Sequence, residues 1–337
     1  MRGAVEIVEA WDVQEVVDTL HVVSLRREAL RLDAAGEDPP LAIERTVLPG
    51  GATRPPVVLV HGFAQNRFTW RISGRSLAGR LAEAGHEVLN LELRGHGNSR
   101  RYGAGNARRF EEYVRDLVRV VDACETAPFA LGHSLGGGVI VAAATQRSLR
   151  GLVPIAGVFT FGRHNATIRG LAALSLALER VLLLPSVRLS TGWAGQLLAE
   201  LYGLTDIAGY GLPLAGWTPG SMERHLLEER LVKGFDWTSI EVWLQMSRWA
   251  LGEPFAWGAA FSRVDVPLLV IAGDRDPLLP PEEARACYEA SGSTDRRFVV
   301  FDAWEHGGHW GHLDLLLGRR APEVTWPTIL DWLAARS

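Results

Sequence analysis

A chain of 337 residues suits one large α/β domain carrying an insertion, or two domains, and 47% hydrophobic with 22% charged residues is ordinary for a globular enzyme. The formal net charge of −4, with one lysine (Lys233) and arginines interspersed among acids, leaves no basic footprint and argues against nucleic acid as a partner. The widely separated Cys124 and Cys287 read as buried free thiols rather than a disulfide, and "MRGAVEIVEAWDVQEV" lacks the apolar stretch of an export signal, so a cytoplasmic location is expected.

In chain order, "LHVVSL", "LAIERTVL" and "PPVVLVHGF" predict three strands, the third a continuous valine-rich run of the kind that fills the middle of a sheet. "SLAGRLAEAGH" predicts a helix ending at Gly85, followed by the strand "EVLNLEL" and the turn "RGHGNSR". "FEEYVRDLVRVVDAC" is an amphipathic helix, and "FALGHSLGGG" then reads as strand, tight turn, helix, with "GLVPIAGV" as the next strand. This rhythm stops near Phe159 and resumes near Val266. The stretch between is mostly helical and holds Trp193, Trp217, Trp237, Trp243, Trp249 and Trp257. Most of these are expected to fill the insertion's own core, with one or two as candidates to line a pocket instead. "PLLVIAGDRDP" is a buried strand ending in acids, "PEEARACYEAS" a helix, "RRFVVFDAW" a last strand, and "EHGGHWGHLDLLLG" a histidine-rich turn before the closing helix "PTILDWLAAR". Repeating strand and helix units imply a parallel sheet with helices on both faces.

Gly132 and Gly136 lie two residues either side of Ser134. A G-x-S-x-G pattern is weak alone, but between a buried strand and a helix it describes a turn so sharp that its centre is strained and its neighbours must lack bulk. A serine hydroxyl becomes a good nucleophile when a base takes its proton and a third group fixes that base. Ser134, Asp276 and His312 supply nucleophile, acid and base, each just past the carboxyl end of a predicted strand, so that a parallel sheet would gather them at one edge. Asp274 rivals Asp276, and His306 is the second choice for the base. His306, His309 and His312 also raise a three-histidine zinc site, against which stand the intervening glycines and the absence of a nearby cysteine. Oxyanion donors are expected from the backbone N–H groups of Leu135, next to the nucleophile, and Phe63, in the turn "HGFAQN", where His61 is read as a structural brace.

At these residues the chain resembles the α/β-hydrolase fold family of serine hydrolases. "VVLVHGF", "LELRGHGNS", "GHSLGGG", "AGDRDPLLP" and "GHLDLLLG" are similar to its successive landmarks over Pro56 to Gly318. The resemblance, nearest to the esterase and lipase branch, implies a mostly parallel sheet flanked by helices, with a helical cap inserted after the sixth strand. Residues 1–158 and 263–337 would form the catalytic domain and 159–262 the cap. It further implies acyl transfer to water through an acyl-serine. The family's epoxide hydrolases and dehalogenases use an aspartate where this chain has Ser134. The expected partner is a small-molecule apolar ester, with no cofactor and no metal; peptidase, acyltransferase and carbon-carbon hydrolase chemistry share the same triad, and a non-catalytic sensor of an apolar ligand is the alternative of another class. Gly170 to Leu189 carries more apolar surface than one helix face needs, so it is expected to pack as a lid over the site, Leu174 and Leu178 turned inward, or else to face outward as a peripheral membrane contact. The sequence leaves the oligomeric state open.

Overall fold

The computed structural model describes residues 5–182, 188–190 and 216–337. Strands β1 (Val5–Asp18), β2 (His21–Leu32), β3 (Leu41–Val47), β4 (Arg54–Val60), β5 (His86–Glu92), β6 (Phe129–His133), β7 (Gly151–Ile155), β8 (Leu268–Gly273) and β9 (Arg296–Phe301) form one sheet. Its spatial order is β1-β2-β3-β5-β4-β6-β7-β8-β9. From β5 to β9 every pairing is parallel, whereas β1, β2 and β3 pair antiparallel with their neighbours. Val57, Val58, Leu59 and Val60 are fully buried, as an interior strand covered on both faces requires.

Helices α1 (Leu77–Glu83), α2 (Phe110–Ala123), α3 (Leu135–Ala144), α7 (Pro281–Ala290) and α8 (Thr325–Ala334) belong to the sheet domain, while α4 (Ala166–Leu182), α5 (Arg224–Gly234) and α6 (Ile240–Ala250) lie in the insertion between β7 and β8. Helix α2 shows the cause of the packing plainly: Phe110, Tyr113, Val114, Leu117 and Val121, three or four residues apart, form one buried face. Ser76 caps α1 by accepting a hydrogen bond from the Gly79 N–H, and Ser239 caps α6 by accepting one from Val242.

Two expectations change. β1 was not foreseen; it is an edge strand paired, among the described residues, with β2 alone, half of its residues are exposed, and its acids break any apolar run. The insertion therefore follows the seventh strand of the sheet, although it does follow the sixth of the strands expected from the sequence. Gly170 to Leu189 was expected to be covered, but the helix described there, α4, leaves Leu174 55% and Leu178 42% exposed. What holds α4 is α6: Trp243 Nε1 donates to Ser175 Oγ at 2.9 Å, and Arg248 pairs with Glu179 at 2.9 Å. Trp193 and residues 183–187 lie outside the described residues. Trp217 and Trp249 are buried core, Trp237 is exposed beneath Arg100, and Trp243 lies tilted against Phe63 with centroids 6.1 Å apart.

Candidate active site

β6 ends at His133, and α3 begins at Leu135, leaving Ser134 alone to reverse the chain with φ 56° and ψ −122°. A left-handed backbone at a non-glycine residue costs about 1–3 kcal/mol. Ala64 (φ 57°) and Ala156 (φ 43°) share this strain just past the ends of β4 and β7, so the non-glycine residues of positive φ gather at one sheet edge. The Ser134 N–H donates to Ile155 O at 3.1 Å, while Ser134 O accepts from Gly137 and Val158, which pins the turn on both sides. A Cβ at Gly132 would overlap the Gly136 carbonyl, and one at Gly136 would overlap the Val60 carbonyl. Both flanking glycines are thus required by close backbone approach.

Past the end of β8, Asp276 is buried and accepts three hydrogen bonds: Oδ1 from the N–H groups of Leu278 and Leu279 at 2.9 Å each, and Oδ2 from His312 Nδ1 at 2.6 Å. That bond places the His312 proton on Nδ1 and leaves Nε2 as the lone-pair nitrogen. Nε2 is buried and engages no hydrogen-bond partner among the described residues. The ring lies against that of His133, centroids 4.4 Å apart, and His133 Nε2 donates to the His312 carbonyl at 3.0 Å. His133 precedes Ser134 directly, so the candidate base is tied to the elbow strand itself.

The rivals occupy other places. Asp274 accepts from His309 Nδ1 at 2.6 Å and from the Trp310 N–H at 2.9 Å, forming a second, more exposed pair that braces the loop leading to His312. His306 packs on Phe301 and its Nδ1 accepts from the Asp302 N–H. Each of the three spaced histidines therefore has a separate partner, and among the described residues no group of His, Cys, Asp or Glu is arranged to hold a metal ion. The His312 loop is also anchored to the insertion. Buried Asp314 accepts from the Gly311 N–H, the Thr218 N–H and hydroxyl, and the Ser221 hydroxyl, while Leu313 N–H donates to Gly216 O. A groove of about 520 Å³ between Thr218–Ser221, His309–Trp310 and Arg319–Arg320 includes neither Ser134 nor His312.

The loop after β4 carries the other expected donor. His61 Nδ1 donates to Gly62 O at 2.9 Å and Nε2 accepts from the Leu93 N–H at 3.1 Å; burial holds its pKa well below the usual histidine value, so it is a neutral brace. The N–H groups of Phe63 and Leu135 have no acceptor among the described residues. Gly62 packs so closely under the elbow that a Cβ there would lie 2.9 Å from that of Ser134. Gln65 receives the Thr69 hydroxyl, and its amide faces His133 Nδ1 at 3.3 Å. His133, Gln65 and Trp243 are the neighbours that sequence reasoning did not single out. Their only signals were a position inside the G-x-S-x-G pattern, one in the "HGFAQN" turn, and membership of the tryptophan cluster.

The sequence profile of the alpha/beta hydrolase family matches residues 57–320. Epoxide hydrolase B of Mycobacterium tuberculosis is 40% identical over 87 residues, which is 25% of this chain and 23% of that protein, so the match spans about a quarter of each. Monoacylglycerol lipase of Mycolicibacterium smegmatis is 24% identical over 254 residues, 74% of this chain and 80% of that one. Among solved structures, monoacylglycerol lipase of Paleococcus ferrophilus superposes with a TM-score of 0.60 at 20% identity, covering 88% of this chain and 99% of the other.

Proposed function

Since the chain belongs to the alpha/beta hydrolase family, we propose that it is a serine hydrolase cleaving carboxylic esters of apolar acyl groups through an acyl-enzyme on Ser134. The observation that carries this is the buried Asp276–His312 pair, 2.6 Å apart, stacked through His133 beside a strained serine. Ser134 Oγ attacks the ester carbonyl carbon while His312 Nε2 takes its proton. The carbonyl electron pair moves to oxygen, and this oxyanion is received by the N–H groups of Phe63 and Leu135. Asp276 holds the tautomer and stabilises the imidazolium. As the tetrahedral intermediate collapses, the C–O bond to the alcohol breaks and His312 returns the proton to the departing oxygen. Water then repeats the sequence on the acyl-serine and releases the acid.

The lipases among the similar proteins support an apolar acyl group, as does Trp243 against Phe63 and 6.4 Å from Phe161, which puts aromatic surface next to the proposed oxyanion donor. The partial match to an epoxide hydrolase does not favour epoxide opening, because Ser134 stands at the elbow. Cys124 and Cys287 are free thiols, pushed by burial up to about 12, which suits the reducing conditions of a cytoplasmic location. No helix among the described residues is long and apolar enough to cross a membrane; the exposed Leu171, Leu174 and Leu178 of α4 support peripheral contact with lipid aggregates. The test is turnover across p-nitrophenyl esters of increasing acyl length. Hydrolysis should be present in the wild type and fall on the order of a million-fold in Ser134→Ala. Near-normal turnover by that variant would end the proposal.

A further inference from the structure

Arg230, on the buried side of α5 with Leu226, Leu227 and Leu231, has no exposed surface. Among the described residues its Nε, Nη1 and Nη2 have no hydrogen-bond partner, and it forms no salt bridge. Its guanidinium carbon lies over the face of Phe235, 5.5 Å from the ring centroid. Burial pulls its pKa down to about 10, which still leaves it charged at neutral pH. A buried charge without a counter-ion destabilises the fold far more than an apolar side chain of the same length would. Gly234, one turn on, accommodates it: a Cβ there would overlap Nη1.

The location gives the charge its meaning. α5 packs on the segment Arg67–Ile72, Phe235 bridges Gln65 in antiparallel fashion, the Asp236 N–H donates to Ala64 O, and Asn66 donates to Lys233 O. Arg230 is therefore fastened behind the loop that carries Phe63. In that layer His61 and His133 are both kept neutral, by burial first and with the Arg230 charge adding to it, so the guanidinium is an uncompensated positive charge beside two neutral rings. Ground-state Ser134, His312 and an ester bring no net charge to the loop. The tetrahedral intermediate puts a negative charge at the Phe63 N–H of this loop and a positive one on His312, beyond the His133 ring, so the Arg230 charge acts through its closer coupling to the loop.

We propose that Arg230 is a positioning residue of the oxyanion site, its unpaired charge acting through the Gly62–Asn66 loop to stabilise the tetrahedral anion formed on Ser134. This rests on the serine hydrolase reading. A unit charge acting over about 10 Å through an effective dielectric of about 20 is worth roughly tenfold in rate. The structural penalty and the catalytic gain then have opposite signs, and that opposition separates this role from a packing role.

The experiment compares wild type with Arg230→Met and Arg230→Lys, reading kcat and KM on neutral p-nitrophenyl butyrate, affinity for an alkylboronic acid that forms an anionic tetrahedral adduct, and the melting temperature. Arg230→Met should melt at the same or a higher temperature, lose roughly tenfold in kcat at unchanged KM, and lose about as much in boronate affinity. Arg230→Lys should keep most of both. Unchanged kcat in Arg230→Met, or a lower kcat accompanied by a lower melting temperature and unchanged boronate affinity, would overturn the proposal. So would a loss confined to carboxylate-bearing esters, which would make Arg230 an anchor for a substrate anion. If the wild type hydrolysed no ester and bound no boronate, the hydrolase reading itself would fall, an outcome distinct from a wild type that is active and indifferent to Arg230.

Discussion

Asp274 and Asp276 are separated by one residue, yet their surroundings differ in kind. Asp276 is buried, takes two backbone N–H groups on one oxygen and His312 on the other, whereas Asp274 serves a histidine that is nearly half exposed. Asp276→Asn should lower kcat by about four orders of magnitude, because an amide that donates at this position turns the imidazole to the wrong tautomer. Asp274→Asn should cost less than tenfold, since exposed pairs are worth about 1 kcal/mol or less. Kinetics of the two purified variants on one ester decide it, and equal losses would mean that the acid has been misassigned. The proposed nucleophile Ser134 and acid Asp276 could be picked out because each closely follows an apolar strand run, and the proposed base His312 because it lies in the loop after the last strand. His133 and Gln65 could not, because their partners lie 179 and 68 positions away in sequence, and neither could Arg230. An arginine among so many carries no mark that it will be buried without a partner.

At the scale of elements, the alternation of strand and helix was legible wherever an element is buried on one defined face. β4 is a continuous apolar run and α2 a clean stripe, and both appear where the pattern puts them. β1 escaped because an edge strand needs only backbone pairing on one side, so no side-chain pattern announces it. α4 was legible as a helix, but the direction of its leucines was not. Its apolar surplus suggested burial of Leu174 and Leu178, while the face that packs carries Ile168, Ala172, Ser175 and Glu179. With Leu174 and Leu178 exposed, the double variant Leu174→Asp and Leu178→Asp should leave the melting temperature and soluble-ester kinetics unchanged while reducing binding to phospholipid vesicles. Selective loss on medium-chain soluble esters would instead restore the lid.

Across the whole molecule, buried neutral histidines set the response to acid. His61, His96 and His133 are each held below the ordinary histidine value, chiefly by burial. A base whose folded pKa is depressed binds fewer protons in the native state than in the unfolded chain, so native stability is complete above the unfolded value near 6.5 and declines as pH falls below it. Each such histidine contributes a slope of about 1.4 kcal/mol per pH unit between its unfolded and folded pKa values. Denaturant unfolding from pH 8 to pH 5 should show stability falling from about pH 6.5, well above the carboxylate range; a flat profile down to pH 5 would mean that these rings accept protons in the folded state.

All of this presumes that the sheet edge gathers Ser134, His312 and Asp276 for chemistry and not only for architecture, and one labelling experiment addresses that directly. The native protein is treated with a fluorophosphonate, digested, and the modified residue located by mass spectrometry, with His312→Ala treated in parallel. Rapid stoichiometric phosphonylation of Ser134 in the wild type, and its near abolition in His312→Ala, is the predicted result. Labelling at another residue, or a Ser134 that reacts no faster than an ordinary surface serine, would contradict the account.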